Sequence, residues 1–531
     1  MKSSAAEAVR LFQAGRVAEA EAAARALLAA NARDAEALHL LGCIRAQAGA
    51  QPEALALMDQ ALAIDPRNPA FAVNRGRVLA QLGLASLRAG DAAQAVRAFE
   101  AALPAFPRDA SLRNNLGIAL QRLGRADEAI AHFAEAAQFD PALDGMLVNW
   151  GNALETRGDL EGAREKYREA VARNPSSAAA WINAASIEVD LGNNAAARAA
   201  YARVLEVDPR SPDARYGRAL LDLRERRFAE GWEGHEARFD TDPPQSARRG
   251  PALPQLEGED LGKRGRVAVW SEQGIGDQVL YSTLLPALRD TGAQVVAEVD
   301  PRMLSAYRRS VPGVEFVASG EAASFDGCER QVAIGSLARL FRRDAASFAS
   351  QPHALLAADP ARVAAIRARL PAGPCVAISW RSLQRGARAS RGARKSAPLA
   401  AFAALARDRD LRLVDVQYGD VDAERVEFER GHPGLLVRIP GLDAYSDLEG
   451  VMAAIVACAR VVTTSNVVAH LGGALGVPTT VVFLGGPAPF HYWDAVQGPR
   501  SLWYPSVEVA GDTGWRDWKE AFDALSARFD R

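Results

Sequence analysis

Two short stretches carry the residues best suited to chemistry. The first, EQGIGDQVLYSTLLPAL (272–288), sets Gly274, Gly276 and Asp277 between an apolar run and an amphipathic one. Glycines at such a turn let the chain bend sharply and let a ligand approach the backbone closely. Asp277 then opens a helix, where a carboxylate serves either as a helix N-cap or as a general base taking a proton from an acceptor hydroxyl. The stretch is not a P-loop, because no Gly-Lys-Ser/Thr follows. The second, TTSNVVAHLGGALGVP (463–478), leads from a strand into a helix and contains Ser465, Asn466 and His470. The N–H groups that open that helix make an anion site suited to a nucleotide phosphate. His470 is then either a structural histidine or a neighbour of the bound anion.

A third stretch is basic. WRSLQRGARASRGARKSAP holds Arg381, Arg385, Arg388, Arg391, Arg394 and Lys395 with no acidic residue among them. Cations at the carboxyl end of a parallel strand neutralise a departing phosphate. Arg381 and Lys395 bracket the loop and are the two expected to do so. The alternatives are a solvated loop or a nucleic-acid contact, the latter weakened by the absence of interleaved aromatics. Asp408-Arg409-Asp410 and Asp420-Val421-Asp422 read D-x-D, the first ahead of a strand and the second behind one. No cofactor is expected, and a divalent metal is not required. HExxH and GxSxG are both absent.

The elements around these stretches alternate strand and helix from residue 264 onward. Strands are expected at Arg266–Glu272, Gln294–Asp300, Val314–Val317 and Gln331–Ile334, with a helix over Asp277–Arg289. A second series follows: Pro374–Trp380, Leu411–Gln417, Leu435–Ile439, Arg460–Thr464 and Thr479–Phe483. Such series form parallel sheets, which bind ligands at the carboxyl ends of their strands. Two Rossmann-like halves are expected, 264–372 and 373–531, with a site in the cleft between them.

Residues 1–228 follow a different rule. Pro107, Pro141, Pro175 and Pro209 are spaced by 34, while the step from Pro66 to Pro107 is 41, placing seven extra residues near PAFAVNR. The 34-residue step recurs at Gly83, Gly117, Gly151 and Ala185, at Ala95, Ala129, Ala163 and Ala197, and at Phe99, Phe133, Tyr167 and Tyr201. Small residues allow close helix approach, an aromatic fills the space between neighbouring hairpins, and proline ends each unit. Asn115, Asn149 and Asn183 share the step, and Asn74 stands in the same relation to Gly76. Stacked along a groove, these amides would grip a peptide backbone; otherwise they are simply tolerated on an exposed face. Residues 229–263 read as a capping segment and connector, with Phe228, Trp232 and Phe239 covering the last open repeat.

Composition sets the limits. The 531 residues are 49% hydrophobic and 24% charged, which excludes a disordered chain. Sixty-three Lys+Arg against 65 Asp+Glu give a net charge of −2, which argues against general nucleic-acid binding. Four separated cysteines point to a reducing compartment, and no run is long and apolar enough for a signal peptide or membrane span. A cytoplasmic location is the expectation.

The 34-residue columns resemble the tetratricopeptide repeat, a right-handed superhelix that usually holds a protein segment. The asparagine column is similar to the ladder of O-linked N-acetylglucosamine transferases. Residues 264–531 resemble glycosyltransferases of the two-Rossmann GT-B type, most closely lipopolysaccharide heptosyltransferases and their repeat-fused relatives. That resemblance implies that Asp277, in the family's G-D turn, is the catalytic base. It also implies that Ser465, Asn466 and His470 correspond to the donor motif D-[ST]-x-x-x-H, with Ser465 departing from Asp and Asn466 from Ser/Thr. The expected fold is an α-solenoid followed by a GT-B fold. The expected function is protein O-glycosylation from a nucleotide sugar, on an acceptor held by the repeats. Bacterial flagellin glycosyltransferases share the layout, which makes flagellin a possible acceptor. Alternatives are a transferase acting on lipid-linked sugars, or a scaffold whose transferase fold has decayed. The fold also implies a final helix, Trp515–Phe529, that crosses back to the first half, with Trp503, Tyr504, Trp515 and Trp518 packing there.

Overall fold

The computed structural model describes residues 4–143, 145–320, 325–382, 395–484, 491–493, 500–512, 515 and 517–528. The chain parts into two compact units, Met1–Ala184 and Ala185–Arg531.

The first unit is a row of helical hairpins: Ala5–Gln13 with Val17–Ala30, Ala35–Gln47 with Gln51–Ile64, Pro69–Ala89 with Ala92–Ala102, Ala110–Arg122 with Ala126–Phe139, and Met146–Arg157 with Leu160–Arg173. The columns read from the sequence meet in pairs. A Cβ added to Gly83 would lie 2.4 Å from the Phe99 ring, one on Gly117 2.7 Å from Phe133, and one on Gly151 2.4 Å from Tyr167. Each of these three aromatics packs on the glycine of its own hairpin, while Tyr201 of the same column meets the following hairpin, where a Cβ added to Gly217 would lie 2.3 Å from it. The alanines at 95, 129 and 163 are fully buried in the second helices. Overfilling such a contact costs about 1–3 kcal/mol.

The seven extra residues are helix, not loop: Pro69–Ala89 runs for 21 residues. An insertion of seven turns the helix face by only about 20°. Gly76 and Gly83 therefore face the same way, with Gly76 against Ala105 and Phe106. Left-handed glycines between paired helices, Gly15, Gly49, Gly90, Gly124 and Gly158, form one further column that sequence reading missed.

The second unit opens with helices, among them Pro212–Arg224 and Phe228–His235, and continues into two parallel sheets. The first sheet holds β1 (Arg266–Trp270), β2 (Gln294–Val299), β3 (Val314–Ala318) and β4 (Arg330–Ala333) in the order β3-β2-β1-β4. The second holds β5 (Cys375–Ser379), β6 (Arg412–Asp415), β7 (Leu436–Val437), β8 (Arg460–Thr463), β9 (Thr479–Leu484) and β10 (Val507–Asp512) in the order β10-β9-β8-β5-β6-β7. Counted within the sheet this is 3-2-1-4-5-6, the doubly wound order whose crevice opens where strand order reverses. That reversal falls between β1 and β4 in one sheet and between β5 and β8 in the other. One apolar core runs through both, from Val269 and Leu284 to Val414 and Val461. Polar ties join the halves as well. Arg309 pairs with Glu449 at 2.8 Å, and Gln351 donates to the Trp503 carbonyl at 2.7 Å.

Several expectations are corrected here. The helix expected over Asp277–Arg289 is two, Ile275–Ser282 and Leu285–Asp290, because Pro286 disfavours helical backbone before it and lacks an N–H. β10 was not foreseen; it is an edge strand with exposed Glu508 between buried Val507 and Val509. The final helix, Trp518–Arg528, stays on the second sheet, where Phe522 meets Phe402 with ring centroids 4.4 Å apart. Of the four late aromatics, Trp503 does reach the first half, standing edge-on to Tyr281 at 5.7 Å. Phe228 and Trp232 are more than a cap on the repeats, since both join the α/β core, against Phe348 and Tyr281. Nor is the connector loose: Leu256 is buried, and its N–H donates to the Gln331 carbonyl beside β4.

Candidate active site

The loops after β1 and β8 meet. Helix Ile275–Ser282 packs on helix Val467–Ala474, and a Cβ on Gly276 would lie 2.9 Å from His470 Cδ2. Gly276 is thus needed for contact between the two loops. Gly274 has ordinary extended backbone, φ −91° and ψ 170°, so its torsions do not demand glycine. The left-handed residue is instead Gln273, at φ 58°. A non-glycine residue there stores strain of roughly 1–3 kcal/mol, a feature that clusters at functional loops.

Asp277 is not the N-cap. Gly274 is, and Asp277 stands three positions on, where its carboxylate takes a hydrogen bond from the Gly274 N–H. This is half of a capping box. Burial, and next the Glu272 carboxylate, push the Asp277 carboxyl up to about 6, while the Lys395 charge pulls the other way. The balance leaves a carboxylate basic enough to take a proton near neutral pH.

His470 is enclosed by Tyr492, Trp493 and Tyr504, with ring centroids at 5.3, 4.9 and 5.9 Å, and its Nδ1 shares a 3.2 Å hydrogen bond with the Tyr504 hydroxyl. Burial lowers its pKa to about 3. It is therefore neutral and can offer a hydrogen bond but no charge. Asn466 caps its helix, accepting from the Val468 N–H at 2.9 Å, and donates to Ser379 Oγ at 2.9 Å. One of the N–H groups expected for an anion is thereby used, and the ends of β5 and β8 are stitched together. Ser465 Oγ accepts from Trp493 Nε1 at 3.1 Å.

The two basic candidates separate. Lys395 is buried and its charge reaches Asp277. Arg381 is ion-paired to Glu424 at 2.7 Å. Arg385, Arg388, Arg391 and Arg394 lie outside the described residues. Asp422 of the second D-x-D pairs with Arg425 at 3.0 Å, and no cluster of three or more metal-ligating side chains occurs among the described residues.

Three residues escaped sequence reading. Gln417 Oε1 accepts from Ser379 Oγ and from the Trp380 and Arg381 N–H groups, fixing the start of the basic loop. Glu272 stands within the first motif, but nothing marked it as buried. Arg238, its partner, lies 34 residues earlier in the supposed connector. A polar cavity of about 360 Å³ opens at the carboxyl ends of β6 and β7, lined by Asp415, Gln417, Tyr418 and Arg438. A larger groove of about 780 Å³ lies at the amino ends of the same strands, bordered by Leu411, Leu435 and Trp518, away from both loops.

In the solenoid, Asn74, Asn115, Asn149 and Asn183 are all half-buried on first helices. Asn74 donates to His39 Nε2 at 3.0 Å (given a suitable imidazole tautomer), and Asn149 donates to Asn114 Oδ1 at 3.1 Å. The amide-to-amide step thus uses Asn114, a neighbour of the expected Asn115. Neither Asn115 nor Asn183 has a side-chain hydrogen bond among the described residues.

Comparison with known proteins gives the repeats their family. Residues 5–69, 74–144 and 155–221 match tetratricopeptide-repeat profiles. The first 220 or so residues are tetratricopeptide repeats. Protein FlbA of Caulobacter vibrioides is 31% identical over 314 residues, an alignment covering 55% of this chain and 50% of FlbA. The chain therefore spans about half the length of that relative. Among solved structures, YrrB, described as a TPR protein with an unusual peptide-binding site, is 21% identical with a TM-score of 0.31, covering 37% of this chain and 98% of that one. The C-terminal part of a TPR repeat-containing protein from Cytophaga hutchinsonii is 14% identical with a TM-score of 0.36, covering 45% of this chain and 96% of its own. No helix among the described residues is long and apolar enough to cross a membrane.

Proposed function

We propose that this protein is a GT-B type glycosyltransferase that moves a sugar from a nucleotide donor to a Ser or Thr hydroxyl of a protein held by the repeats. The observation that carries this reading is the meeting of the Asp277 and His470 loops, with Gly276 against the imidazole and the Lys395 charge acting on Asp277. In the reaction, Asp277 takes the acceptor hydroxyl proton while the oxygen bonds to the anomeric carbon. The bond from that carbon to the nucleotide phosphate breaks, and the phosphate leaves with its electron pair toward Lys395 and the start of helix Val467–Ala474. His470, being neutral, orients by hydrogen bonding. The cavity beside Asp415 and Gln417 is of a size for part of the nucleotide. Asn115 and Asn183 are the groove amides left open to a peptide. Flagellin, suggested by shared layout, is the first acceptor to try.

The test is incubation of the full chain with CMP-, UDP-, GDP- and ADP-sugars, reading nucleotide release and thermal stabilisation by bound ligand. One donor should stabilise the protein and be cleaved. Mass spectrometry of the acceptor from a deletion strain should then show loss of the sugar. An unchanged acceptor mass would direct the reading toward a lipid-linked acceptor. Neither binding nor cleavage of any donor would leave a scaffold.

A further inference from the structure

The loop after β1 holds two carboxylates five residues apart, Glu272 and Asp277, and only one can be the base. Glu272 is 2% exposed, and a buried carboxylate without a partner is strongly destabilising. Its partner comes from the helical segment ahead of the sheets. Arg238 is fully buried and meets Glu272 with two parallel hydrogen bonds, Nε to Oε2 at 2.9 Å and Nη2 to Oε1 at 2.7 Å. The remaining guanidinium donors are also engaged: Nη2 with Ser336 Oγ at 2.8 Å, and Nη1 with Glu236 at 2.7 Å and the His235 carbonyl at 3.1 Å. Glu272 Oε1 takes a further bond from the Gly335 N–H at 3.0 Å, and a Cβ on Gly335 would lie 2.7 Å from that oxygen.

We propose that Arg238 is a positioning residue for Asp277, acting through Glu272: it holds the Glu272 carboxylate in place and offsets its charge, so that two acids can share one loop. Among the described residues, the groups acting on Asp277 are Glu272 on its own loop, Tyr281 on its own helix, Lys395 after β5, and Tyr492 and Tyr504, while His470 on the helix after β8 stands against the neighbouring Gly276. Among the described residues only Glu272 and Lys395 bring charge, with opposite signs. Arg238 is already shared with Glu236 and cancels Glu272 incompletely, which accords with the upward pull of Glu272 on Asp277. The catalytic consequence rests on Asp277 being the base. The electrostatic consequence does not.

The experiment is a carboxyl carbon-13 titration of full-length protein labelled at aspartate, with Asp277→Asn to assign the signal. Arg238→Gln should raise the Asp277 midpoint by about one pH unit or more, because Glu272 is then uncompensated. Glu272→Gln should lower it by a similar amount. The double variant Arg238→Met/Glu272→Gln removes both charges and should bring the midpoint between those of the two single variants, because the Arg238 cation that still lowers it in Glu272→Gln is gone as well; buried pairs tolerate such joint replacement. The acidic limb of the rate profile for donor cleavage should move in the same directions. A purely structural role would instead lower activity in both single variants without opposed shifts. Shifts of one sign in both single variants, or none, would overturn the proposal. Should Arg238→Gln fail to fold, Glu272→Gln decides alone: a midpoint that does not fall refutes it. Absence of cleavage in the wild type would remove the transferase reading while leaving the titration decisive for the clamp.

Discussion

The loops after β1 and β8 occupy matching places, each at the carboxyl end of a strand beside a reversal of order, yet they are held by opposite means. The first is ionic: Glu272 on Arg238, with Asp277 beside them. The second is neutral: an Asn466 cap, a Ser465–Trp493 hydrogen bond, and an imidazole that burial keeps uncharged. The difference teaches that one loop can titrate in the working range and the other cannot. Under the proposed transfer, this contrast would separate a proton acceptor from an orienting wall.

The sharpest break of this contrast is Asp277→Asn. Loss of a general base lowers turnover by about 10²–10⁴-fold, measured as nucleotide release. In the wild type the same rate should fall below pH 6, as the carboxyl at about 6 takes up its proton. An Asp277→Asn variant as fast as the wild type would exclude the assignment.

The stability effect of the same variant runs the other way. Asp277 holds its proton more tightly folded than unfolded, so its stabilising share is complete below the unfolded value of 3.8 and lost as pH rises through about 6. Asparagine suffers no such loss. Denaturant unfolding at pH 8 should show Asp277→Asn more stable by at most roughly 3 kcal/mol, and the gain should vanish near pH 4.

Gly276→Ala tests the contact between the loops. The added methyl meets the His470 ring, and a cost of about 1–3 kcal/mol is expected by thermal or denaturant unfolding. Tolerance without loss would mean that the two helices are not closely packed. The smallest effect should come from Asn466→Ala, which removes a cap worth about 1 kcal/mol. Because that loop is neutral, its cost should be the same at pH 5 and pH 8; a marked pH dependence would erase the contrast.

Much of this was legible beforehand, for reasons particular residues make plain. Repetition exposed Gly83, Phe99, Gly117 and Phe133 as packing positions, since each recurs at a 34-residue step, while the structure paired glycine with aromatic. Apolar runs such as RVAVW and CVAIS announced buried parallel strands. β10 was less visible because an edge strand alternates instead of running apolar. The contact of Gly276 with His470 was not legible, because the two stand 194 residues apart in the chain. Arg381 and Lys395 looked alike as members of one basic run; only their partners, Glu424 and the Asp277 loop, separate them.

By itself the sequence determined the repeat, the parallel sheets and the identity of the candidate base, because periodicity and local turn chemistry act over a few residues to a few dozen. The tertiary structure alone decided how each candidate behaves: Asp277 basic, His470 neutral, Arg381 occupied, Glu272 held by a cation from the supposed linker. Those properties follow from burial and from charges brought close by folding, and neither is a function of distance along the chain.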